Sequence, residues 1–141
     1  MSRKQSREFA MQLLYQMELR GGDDRDEQLA LAYEESERAY TKKDREYIDD
    51  VVKGVFDNID ELDRIVEKNA KGWKLARLAK IDLSILRLCI YEMRRRDDIP
   101  FNISINEAVE LAKKYGTEDS GAFINGILSN AIPENAAEDE S

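Results

Sequence analysis

Asp82-Leu83-Ser84-Ile85-Leu86-Arg87-Leu88-Cys89-Ile90-Tyr91-Glu92-Met93-Arg94-Arg95-Arg96 reads as a helix that is apolar on nearly every side. Only neighbours on all faces can take such a helix out of water, so it belongs at the centre of a bundle. Arg87 interrupts the run. An unpaired buried guanidinium is very costly, so Arg87 must reach solvent or meet a carboxylate, and a structural ion pair is preferred here over a ligand contact. Cys89, the single cysteine, is expected as a buried thiol with no disulfide partner in the chain. The closing Arg94-Arg95-Arg96 sits where cations offset the helix dipole, and Asp97-Asp98 follows at once, which favours a structural role.

Outward from this segment the same periodicity recurs. Towards the N-terminus, Leu62, Ile65, Val66 and Ala70 form one helix, with Asp60 as its expected cap and Gly72 as its stop. Before it, Tyr47, Ile48, Val51, Val52, Val55, Phe56 and Ile59 mark a strongly amphipathic helix that Thr41 is placed to cap. An acidic linker, Asp23 to Glu27, leads into a helix expected to carry Leu29, Ala32, Tyr33 and Tyr40. The first helix opens on a capping box, Ser2 with Gln5, and lays Phe9, Ala10, Leu13, Leu14 and Met17 on one face before Gly21-Gly22.

Towards the C-terminus, Ile99-Pro100 breaks the chain. Ser104 with Glu107 suggests a second capping box for a helix bearing Ala108, Leu111, Ala112 and Tyr115. After Gly116, the stretch Thr117-Glu118-Asp119-Ser120 is expected to cap a last helix through Phe123, Ile124, Ile127, Leu128 and Ala131, which Pro133 ends. With seven glycines, two prolines and few β-branched runs, the chain is expected to be all-α: a single compact bundle of about seven helices over residues 1–133. The acidic tail, 134–141, is expected to be disordered.

The chain has no apolar stretch near the ~20 residues that cross a bilayer and no signal-peptide core, so a cytoplasmic location is expected. Its formal charge is −8, which argues against coating nucleic acid by charge alone. Four cations against two carboxylates leave +2 in the first twenty residues, so the remainder carries −10. Arg3, Lys4 and Arg7 precede any apolar residue of the first helix and are expected to project beyond its packed part.

Chemistry is sparse. The chain has no histidine, which removes the commonest general base and transition-metal ligand. There is no glycine-rich phosphate loop or nucleophile motif, and the pairs Asp49-Asp50, Asp97-Asp98 and Glu118-Asp119 diverge as helical neighbours. No catalytic residue, metal or cofactor is expected. Lys113-Lys114 leads into a polar loop and Phe123, an aromatic placed either to stack on an unpaired base or to fill the core.

These residues collect into a recognisable pattern. Arg7-Glu8-x-Ala10-x-x-x-Leu14-Tyr15 near the start, then Asp82-x-x-Ile85-Leu86-Arg87, Tyr91-Glu92, Ile99-Pro100, Ile105 to Lys113 and Ser120-x-x-Phe123-Ile124-Asn125-Gly126-Ile127-Leu128 resemble, in order and spacing, the bacterial transcription antitermination proteins of the NusB family. The resemblance spans nearly the whole chain; Gln5, Ser6 and Ala76 depart from the more charged residues of some relatives. It implies a non-enzymatic factor that binds boxA-type single-stranded RNA together with the ribosomal protein NusE. Such factors join RNA polymerase complexes that ignore terminators, promoting processive transcription of ribosomal RNA operons. By that resemblance the RNA contacts are Arg3, Lys4, Arg7, Lys113, Asp119, Ser120 and Phe123, and Tyr15 and Asp82 face NusE.

Three cations on a single strand predict a salt slope of only about 2, at roughly 0.7 per phosphate, so base reading and the partner must supply the rest. Asp119 near RNA is read as an acceptor for a base or as the cap of the last helix. The rivals are a targeting module of a ribosomal RNA methyltransferase, which the chain's length disfavours, a small helical enzyme using Arg, Lys and Glu, and a homodimeric helical scaffold without an RNA role.

Overall fold

The computed structural model describes residues 2–21 and 24–133 and is helical throughout, with no strand among them. Seven α-helices follow in order: α1 (Arg3–Leu19), α2 (Arg25–Glu35), α3 (Lys42–Asp57), α4 (Ile59–Asn69), α5 (Lys80–Arg95), α6 (Phe101–Tyr115) and α7 (Ser120–Asn130), with a short 3-10 turn at Leu75–Arg77 before α5. The all-helical class and the helix number match the reading from periodicity. The chain groups into two compact units, Met1–Asp57 and Asn58–Ser141, a division the periodicity did not reveal. The acidic tail lies outside the described residues. None of the described helices is long and apolar enough to cross a membrane.

The first unit is built on α1 and α3. Ser2 and Gln5 form the expected reciprocal box, the Gln5 amide donating to Ser2 Oγ at 3.2 Å and the Ser2 amide to Gln5 Oε1 at 3.1 Å. Thr41 and Asp44 repeat the device at the start of α3, with distances of 2.9 and 3.1 Å. Between the two helices Ala10, Met11, Met17, Ile48 and Val51 are fully enclosed. Ser6 Oγ donates to Asp44 Oδ1 at 3.5 Å, tying the first turn of one helix to that of the other. Two expectations shift here. The acidic linker is shorter than expected, since α2 already begins at Arg25, and Tyr40 lies beyond the end of α2. Tyr40 reaches back to pack on Phe9 at 4.9 Å and to share a hydrogen bond with Ser36 at 2.7 Å, so its apolar spacing reported a tertiary contact.

In the second unit α5 packs against α4, α6 and α7, as its all-round apolar surface requires. Leu83 to Met93 is buried without interruption, including Cys89. Arg87 takes the ion-pair reading: its Nε and an Nη donate to the two oxygens of Asp63 on α4, at 2.7 and 2.9 Å. Arg95 reaches Glu61 at 3.2 Å and Arg96 reaches Asp98 at 2.8 Å, so both spend their charge on structure.

Three expected caps make no capping hydrogen bond. Asp60 lies inside the first turn of α4, where its charge suits the helix dipole without a capping bond; Asn58 precedes the helix. Ser104 sits one turn inside α6, which starts directly after Pro100. Its hydroxyl instead donates to Glu92 Oε1 at 2.9 Å, because a fully buried carboxylate needs donors more than a helix start does. At α7, Asp119 occupies the cap position with no side-chain bond to the helix, and Ser120 Oγ accepts from the Thr117 amide at 2.9 Å.

Candidate functional site

The basic start of α1 is more tightly held than its sequence suggested. Arg3 and Arg7 are one turn apart and lie on the same face, which α3 meets with the buried ring of Tyr47. The Arg3 guanidinium stands 4.5 Å from the ring centroid and that of Arg7 5.8 Å. Arg7 is only 4% exposed. The expectation that all three cations project is therefore corrected: Lys4 is exposed, Arg3 half-buried, and Arg7 packed inside. A single chain position offered an aromatic face that the apolar pattern of α1 could not show.

The second set of residues gathers where α6 passes into α7. Lys113 is exposed, and its nearest carboxylate, Glu110, is 3.9 Å away and equally solvated, a contact worth little. Gly121 lets α7 come close to it: a Cβ there would stand 3.3 Å from Lys113 Cγ. Asp119 is exposed and Phe123 half-buried, so the aromatic is neither plain core nor fully presented. The ring of Trp73, from the α4–α5 connection, meets Phe123 edge to face with centroids 6.3 Å apart. Trp73 is 54% exposed, and no spacing or motif in the sequence marked it.

Two further expectations change together. Ser120 and Asp82, read as an RNA contact and a NusE contact, are both buried and bonded to each other, Ser120 Oγ donating to Asp82 Oδ2 at 3.2 Å. They brace the loop from behind, as α5 carries Asp82 directly under the start of α7. Tyr15 stays half-buried on α1. Burial raises the Asp82 carboxyl above its ordinary range, and the Ser120 hydrogen bond opposes part of that rise.

The sign of this shift gives a test. A carboxyl whose folded-state pKa is raised stabilises the fold below its unfolded pKa, near 4, and that contribution is lost as pH rises through the folded value. Asp82→Asn, which keeps an acceptor for Ser120 and removes the buried charge, is expected to equal or exceed the wild type in stability at pH 7. Urea unfolding at pH 4 and pH 7 checks this; the advantage of the variant must shrink at the lower pH.

Among the described residues no group of three or more Cys, Asp or Glu side chains is arranged to hold a metal ion. The first unit offers cations at the start of α1, and the second offers a cation, an exposed carboxylate and a pair of aromatic rings.

Comparison with known proteins gives these groups their setting. The model of the NusB family matches residues 4–133. The transcription antitermination protein NusB of Ruminiclostridium cellulolyticum is 58% identical over 129 residues, covering 92% of this chain and 87% of the relative. That of Acetivibrio thermocellus is 57% identical over 94% of this chain and 89% of its own length. Among solved structures, NusB of T. maritima superposes with a TM-score of 0.87 at 33% identity, over 98% of both chains. A crystal structure of the antitermination factors NusB and NusE in complex with dsRNA superposes at 0.82 and 31% identity, over 92% of this chain and 95% of that one. With the family model spanning almost the entire helical region and two relatives 57–58% identical across it, the chain belongs to the NusB family.

Proposed function

We propose that this chain is a cytoplasmic transcription antitermination factor, not an enzyme, that binds boxA-type single-stranded RNA together with NusE within an RNA polymerase complex. The observation that carries the reading is the structural match to a family member solved with NusE and dsRNA; the single-stranded form of the RNA is part of the proposal. The residues support it in kind. In the first unit Arg3 and Lys4 bring positive charge to a helix N-terminus, which suits phosphate, with Arg7 as a positioning residue that packs beside Arg3 on Tyr47. In the second unit Lys113 supplies charge, Phe123 a stacking surface and exposed Asp119 an acceptor for a base; Ser120 acts from beneath by holding the loop on Asp82. In the first unit Tyr15 remains a proposed NusE contact; in the second, Asp82 contributes to NusE binding through the backbone it fixes.

Removing Arg7 from the phosphate contacts lowers the expected salt slope from the first helix to about 1.4, at roughly 0.7 per phosphate. Binding by this helix alone is therefore weak, and NusE is expected to raise affinity for boxA-like RNA far more than for a scrambled strand. The test is a titration of both RNAs, with and without NusE, against wild type and the Arg3→Glu/Lys4→Glu variant. The variant should bind more weakly and lose about 1.4 from its slope of log affinity against log salt. Equal binding of both RNAs by both proteins, whether or not NusE is added, would refute the proposal.

A further inference from the structure

Between Glu67 and Asp82 the sequence has no carboxylate and carries five cations: Lys68, Lys71, Lys74, Arg77 and Lys80. No other stretch of this chain, whose net charge is −8, carries as many cations uninterrupted by a carboxylate, and all five residues are exposed. The run spans the end of α4, the connection and the start of α5. At its centre the backbone turns through two left-handed residues, Lys71 at φ 45° and Gly72 at φ 92°, directly before exposed Trp73. Left-handed residues commonly stop a helix, and the Trp73 amide closes this turn by donating to the Ala70 carbonyl at 3.3 Å. Its result is an indole beside Phe123 with cations before and after it in the chain.

We propose that this connection is a second strand-binding element in which Trp73 stacks on an unpaired base next to the one at Phe123, while Lys71, Lys74 and Arg77 hold the adjoining phosphates. The inference rests on the RNA-binding reading above and adds a site to it. An edge-to-face pair uses only part of the two rings, and the 54% exposure of Trp73 leaves aromatic surface within reach of a ligand. Aromatic platforms interleaved with cations fit single strands, because every base has a π-face and every linkage a negative charge. A protein partner would have to bring an acidic surface with no basic counterpart to satisfy the same run.

Trp73 is the only tryptophan in the chain, so its emission reports on this site alone. Titration with the boxA-like strand, with and without NusE, is expected to change that emission. Trp73→Ala should weaken RNA binding by about tenfold or more, matching the range for loss of one stacked base, and Trp73→Phe should recover most of it. The Lys71→Glu/Lys74→Glu/Arg77→Glu variant should lose about 2 from the salt slope, at roughly 0.7 per phosphate. If the strand binds wild type while Trp73 emission and Trp73→Ala affinity stay unchanged, this inference is overturned and the wider RNA reading stands. If Trp73→Ala weakens NusE binding but leaves RNA affinity of the chain alone intact, the surface belongs to a protein and the inference is likewise overturned. Failure of wild type to bind any strand overturns both.

Discussion

Asp63→Ala is expected to lower the free energy of unfolding by about 2–4 kcal/mol. The carboxylate accepts two hydrogen bonds from Arg87, whose side chain is 6% exposed against 20% for Asp63. Breaking a buried ion pair from one side typically costs about 3–5 kcal/mol, because it strips a buried charge of its counter-ion. The partial exposure of Asp63 admits water and moves the expectation toward the lower end. Arg87→Met combined with Asp63→Leu should regain most of the loss, since the pair is replaced by apolar volume and no charge is left behind. Urea unfolding of the two variants separates these terms. A loss below about 1 kcal/mol for Asp63→Ala would show that solvent or other groups satisfy the guanidinium, and the pair would then not be what anchors α4 on α5.

Gly116→Ala is expected to destabilise by about 2–3 kcal/mol, at the upper end of what overpacking costs. A Cβ at Gly116 would stand 2.6 Å from Ser120 Cβ and 2.8 Å from the Ala112 carbonyl oxygen. Neither neighbour is the free end of a flexible side chain, so α7 must shift at its first residue. That shift opens the contacts of Ser120 with Thr117 and Asp82, and it moves Phe123 one turn further along. RNA affinity should therefore fall with stability, which a thermal melt and a binding titration on the same samples would show. Gly126 is the control. It lies within α7 with nothing within 4 Å of a Cβ, so Gly126→Ala should be neutral or stabilise by up to ~1 kcal/mol through helix propensity. Similar behaviour of the two variants would mean that the tight packing at Gly116 has no energetic weight.

The helices were legible because their signals are local. Apolar residues three and four apart, the Ser2–Gln5 box, the Thr41 cap, and the breaks at Pro100 and Gly116 all act within a few residues of themselves. The all-round apolar α5 likewise announced a central helix, and Arg87 within it required a counter-charge even though its identity, Asp63, lay out of reach of any local rule. The errors also have a common form. Ser104 looked like a cap and Tyr40 like part of a helix face, and each was claimed by a distant partner, Glu92 and Phe9.

At the functional surface the division is the same. By itself the sequence determined an all-helical chain of NusB type, poor in catalytic groups, with cations at its start and an aromatic after its last glycine-led turn. Tertiary structure alone decided which of those groups face outward. Tyr47 drew Arg7 inside, Asp82 and Ser120 closed on each other, and Trp73, one apolar letter among many, emerged beside Phe123. The physical reason is that exposure depends on what packs from elsewhere in the chain. A cation, a carboxylate or a ring is fixed by its position, but whether it meets solvent is set by neighbours that sequence spacing does not name.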